Sequence, residues 1–126
     1  MSKACICKPA EIMVFACSGG GANVGQISNN AALEITKEGK AKMYCLAGLG
    51  GHIPGIIEAA KQAKKIIVVD GCPVSCAKKM ALHVGINVDH YIVVTEEGIE
   101  KTPGKFDITN EEIIKIKDLI ERKIGE

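Results

Sequence analysis

Four short apolar runs, each followed by a segment of different period, constrain this chain more than any other feature. Ile12 to Cys17, Ala41 to Leu46, Lys65 to Asp70 and His90 to Thr95 read as strands. Their apolar character is continuous, not alternating, as expected of strands covered on both faces. Between them the period becomes helical. Val24, Ile27, Ala31 and Ile35 recur at the spacing of one helix face, and Gly39 stops that helix. A second helix begins near Pro54. A third is predicted to begin at Pro73, where a missing N–H costs nothing. Residues 96–108 are a turn-rich connection. Thr109 and Glu112 form a capping-box pair ahead of a last helix running to about Lys123.

Strands alternating with helices imply a parallel sheet with right-handed crossovers and helices on both faces. The expected fold is therefore a three-layer α/β domain, Rossmann-like or flavodoxin-like, with a four-stranded, mainly parallel sheet in the order 2-1-3-4. A chain of 126 residues with 47% hydrophobic residues suits one such domain over 1–126. Residues 1–10 are expected to be a flexible lead-in.

The six cysteines acquire meaning on that scaffold. Cys17 closes the first strand and Cys45 the second. Cys72 follows the third strand directly, and Cys76 lies one helical turn further on. In a parallel sheet these strand ends share one edge, where open α/β sheets bind their ligands. Helix starts at that edge present free N–H groups and a positive dipole end, which spread the charge of metal thiolates and favour the thiolate itself. Lys78 and Lys79 are candidates to help. Glycines at 19–21, 48, 50, 51 and 71 let backbone approach sulfur closely. In a reducing cytosol such cysteines serve metals, redox chemistry or catalysis more readily than disulfides. Small-residue core packing is the plainer alternative for any one of them, Cys45 above all.

Other function classes are disfavoured. The formal net charge is +1, which gives no basic surface for nucleic acid. Aromatic residues are 3% with no Trp, which disfavours base-stacking platforms as well. No apolar run spans a membrane, and the start of the chain lacks a signal-peptide core. The expected compartment is the cytoplasm.

Ala16-Cys17-Ser18-Gly19-Gly20, Lys42 to Gly48, Asp70-Gly71-Cys72-Pro73-Val74-Ser75-Cys76-Ala77-Lys78-Lys79 and Val94-Thr95 through Gly98-Ile99-Glu100-Lys101 resemble, in order, the DGC-domain family. These are small proteins of bacteria and archaea proposed to bind zinc, named for the tripeptide that is Asp70-Gly71-Cys72 here. The resemblance runs from about residue 12 to 101. It implies that Cys17, Cys45, Cys72 and Cys76 are zinc ligands, and it implies no reaction.

Neighbouring motifs weigh less. A cysteine-phosphatase loop needs Arg six residues after Cys17, and Asn23 stands there. A dinucleotide fingerprint fails because Val24 replaces its third glycine and Cys45-Leu46 its acid. Cys72 and Cys76 are one residue further apart than a thioredoxin pair, so disulfide chemistry remains open. Asp70, Gly71 and His52 are candidates to support the metal ligands from behind. His83, seven residues beyond Cys76, falls about 10 Å down its helix, and His90 belongs to the opposite sheet edge. Cys5 and Cys7 precede the first strand and stand outside the ligand set. Ile113, Ile116, Leu119, Ile120 and Ile124 form a stripe on the last helix, explained by sheet packing or by a homodimer contact.

Two functional classes follow. One is a Zn2+-binding module with a structural, sensing or metal-transfer role. The other is an enzyme, either a zinc-dependent catalyst or a thiol oxidoreductase. An iron–sulfur cluster is a third occupant that four cysteines suit.

Overall fold

The computed structural model describes residues 11–126, and the expectations for the first ten residues, Cys5 and Cys7 included, lie outside it. Strands β1 (Ile12–Ala16), β2 (Lys42–Met43), β3 (Lys65–Asp70) and β4 (His90–Val93) form one parallel sheet in the order β2-β1-β3-β4. Among the described residues, five helices flank it: α1 (Asn23–Lys37), α2 (Leu46–Gly50), α3 (Pro54–Gln62), α4 (Cys76–His83) and α5 (Asn110–Ile124). A short 3₁₀ turn spans Val94–Glu97.

The pleat sorts the core into two layers. Val14, Ala16, Ile67 and Val69 face α1 and α5 with Val24, Ile27, Ile35, Ile116 and Ile120. Met13, Phe15, Ile66 and Val68 face the other side with Tyr44, Leu49, Ala59 and Ala81. Successive residues thus go to opposite buried faces, which is why the strands read as unbroken apolar runs. Leu119 and Ile124 of the last-helix stripe pack on the first layer, beside the buried Ile116 and Ile120.

Local differences from the expected elements have physical causes. The second strand is only two residues long, because Cys45 leaves the sheet to cap the unexpected helix α2. The third helix begins at Cys76 and not at Pro73. Ser75 takes a left-handed conformation with φ 62°, so residues 72–75 form a turn that ends on the helix start. Thr109 and Glu112 make the expected capping box, in which Thr109 Oγ1 accepts the Glu112 N–H at 3.1 Å and Glu112 Oε1 accepts the Thr109 N–H at 2.9 Å.

Glycines set how closely α1 meets the ligand edge. A Cβ on Gly19 would stand 2.8 Å from the Gly25 Cα, and one on Gly71 would stand 2.8 Å from the Val24 carbonyl carbon. Both loops therefore lie directly on the first turn of α1. A Cβ on Gly25 would collide with the Gly19 backbone. Gly25→Ala should lower stability by about 1–3 kcal/mol, despite alanine's better helix propensity. Chemical denaturation checks this, and an unchanged or raised midpoint would contradict the close packing.

Candidate metal centre at the sheet edge

Cys17 is the first residue past β1, and its N–H still bonds Val69 O at 2.9 Å. The pleat sends it to the Met13 and Phe15 side, where it packs half-buried against the second core layer. Its sulfur accepts the Gly19 N–H at 3.0 Å and a second N–H from Gly71. Burial nevertheless pushes the Cys17 thiol up, the two N–H donors only partly offset this, and the charges of Asp70 and Cys76 push it further. The expected thiolate-favouring effect of the edge is thus outweighed at Cys17 by desolvation. As it stands Cys17 is a protonated thiol at neutral pH, and a metal would displace that proton.

Asp70 ends β3 almost fully buried, 1% exposed. Its carboxylate accepts Ala77 N–H at 2.8 Å and Lys78 N–H at 3.0 Å, and so caps α4 from the neighbouring strand. The cap residue Ser75 makes no side-chain bond of this kind. The Tyr91 hydroxyl donates to Asp70 Oδ2 at 2.9 Å and lies 2.8 Å from Ser75 Oγ. Burial, with the neighbouring Asp70 charge, pushes Tyr91 up to about 12, so the phenol remains a donor. The Lys78 ammonium sits 4.6 Å over the Tyr91 ring. It is engaged there as a cation–π partner and not with sulfur.

Cys76 is exposed at the first position of α4, near enough for its charge to be felt at Cys17. Cys72 is half-buried and leans on the opposite core layer, with Ile99 and Ile116. Its sulfur accepts a bond from Lys101 Nζ at 3.5 Å. The cation beside a candidate ligand is therefore Lys101, from the connection before the last helix. Cys45 is exposed at the cap of α2, so the core-packing alternative does not describe it. His52 meets His83, with ring centroids 5.3 Å apart.

The structure thus sets Cys17 beside Asp70 and Gly71, within electrostatic range of Cys76. It places Cys45 and Cys72 on the same edge, on either side of them. Among the described residues, no three His, Cys, Asp or Glu side chains stand at mutual ligating distance. The donor chemistry suits a soft or borderline ion: four thiols, N–H donors at one sulfur and an ammonium at another. Lys101 and Tyr91 were not foreseen as parts of the site, whereas the approach of the Gly19 backbone to sulfur was. The Val94 to Lys101 segment already belonged to the family resemblance and was the available signal for Lys101.

A family description, the DGC domain, matches residues 13–120. The chain is also 36% identical over 94 residues to the anaerobic and virulence modulator AnvM of Pseudomonas aeruginosa, covering 74% of this chain and 70% of that protein. No solved structure matches the chain.

Two outcomes are expected. With iodoacetamide at pH 7.5, Cys45 and Cys76 should be alkylated first and Cys17 more slowly, its rate climbing as pH rises. Site-resolved mass spectrometry checks this, and equal rates at Cys17 and Cys45 would contradict the account. Asp70→Ala should cost about 1–3 kcal/mol in a denaturation series, because two helix-start N–H groups and a phenol lose their acceptor.

Proposed function

Because the chain belongs to the DGC-domain family, we propose that it is a cytoplasmic metal-binding protein whose Zn2+ is held by Cys17, Cys45, Cys72 and Cys76. The observation that carries this reading is the delivery of four thiols to one sheet edge, two of them already served by N–H or ammonium donors. Zinc supplies one thing here, a divalent charge that lets four sulfurs shed their protons and share one centre. The chain's own groups do the rest. Gly19 and Gly71 N–H groups and Lys101 Nζ offset negative charge at sulfur, while Asp70 and Tyr91 hold the start of α4 on which Cys76 rides.

Sensing fits best among the roles such a centre can serve. A relative named as a modulator agrees with a protein whose loaded and unloaded edges are read by another molecule.

Protein purified without added metal and assayed by elemental analysis and absorption spectroscopy tests the reading. One equivalent of zinc in a colourless protein is expected, with stoichiometry falling on Cys→Ser at 17, 45, 72 or 76 and unchanged at 5 or 7. A brown protein with visible absorption would replace zinc by an iron–sulfur cluster. Unchanged zinc in all four variants would overturn the ligand assignment.

A further inference from the structure

Helices α2 and α4 leave the cysteine edge side by side and carry the same pair of residues at the same spacing. Cys45 precedes His52 by seven positions, and Cys76 precedes His83 by seven. Cys76 and His83 are the two ends of α4, about two turns and 10 Å apart on one face, while His52 follows α2 in the turn just past Gly50. Two contacts show that the elements run in parallel register. A Cβ on Gly50 would touch the Met80 thioether, at 3.0 Å from Sδ, and beyond it the His52 and His83 rings meet edge to face at 5.3 Å.

The two rings are open to solvent. Among the described residues, neither has a hydrogen-bond or ion-pair partner. His52 is held at φ 55°, a left-handed conformation unusual for a residue with a Cβ, after its N–H bonds Leu49 O at 3.1 Å. The turn after α2 therefore aims an unpartnered imidazole at a second unpartnered imidazole on α4. Neutral imidazole is a donor for Zn2+, Ni2+ and Cu2+, and two on converging elements chelate.

We infer that His52 and His83 form a second metal site, separate from the thiols, for a borderline divalent transition ion. With two protein donors, the remaining coordination positions stay with solvent. The site is therefore open and exchanges quickly, unlike a closed four-thiolate centre. Its existence does not depend on what the cysteines bind, since no sulfur belongs to it.

The probe is Ni2+, a paramagnetic ion, titrated into the full chain at pH 7.5 while the three imidazole signals are followed by NMR. Two backgrounds are used: the chain with every cysteine changed to Ser, and the wild-type chain carrying one equivalent of zinc, which decides the matter if the first does not fold. The expected result is joint broadening of His52 and His83 at substoichiometric Ni2+, with His90 spared. His83→Ala, on an exposed helix face, and His52→Asn, which tolerates the left-handed turn, should each weaken Ni2+ binding by about tenfold or more, since even ligand-supporting groups are worth that much. Broadening of all three histidines together, broadening only at large excess of Ni2+, or an unchanged response in His83→Ala would overturn the site.

Discussion

Parallel pairing of β1 with β3 is the constraint on which the edge depends. Its register sets Ala16 beside Val69, so Cys17 emerges next to Asp70 and Gly71 with no freedom to lie elsewhere. The first turn of α1 then packs on both loops, which only Gly19, Gly25 and Gly71 permit. Sheet register and glycine contact together bring residues separated by more than fifty positions into one electrostatic environment. The chemistry at the edge follows from that placement.

That environment is balanced between opposing effects. Burial and the nearby Asp70 carboxylate disfavour charge on Cys17, while two backbone N–H groups favour it. Lys101 brings positive charge to Cys72 from a loop far along the chain. Asp70 spends its own charge on the start of α4 and on Tyr91, so it shapes the turn instead of serving as a ligand. An ion able to compensate negative charge would tip Cys17 toward the thiolate.

The topology was legible because period and run length are local. Unbroken apolar runs announced a covered parallel sheet, and β3 was bounded to the residue by its charged ends Lys65 and Asp70. The pair Thr109 and Glu112 announced its capping box. The start of α4 was misplaced because Pro73 is equally at home in the turn that precedes it, and the left-handed Ser75 carries no sequence mark. The edge shared by the four cysteines was readable from strand ends. What each sulfur touches was not, since Lys101 and Tyr91 reach the site from distant elements. The meeting of His52 with His83 also required the unexpected α2 and its register against α4.

The central claim is that one zinc ion gathers four sulfurs from three strand ends. X-ray absorption at the zinc edge of the loaded full-length protein tests it most directly, because it counts the donor atoms themselves. The account predicts four sulfur neighbours at about 2.3 Å and no light-atom shell. A first shell dominated by nitrogen or oxygen, or one with two sulfurs or fewer, would contradict it.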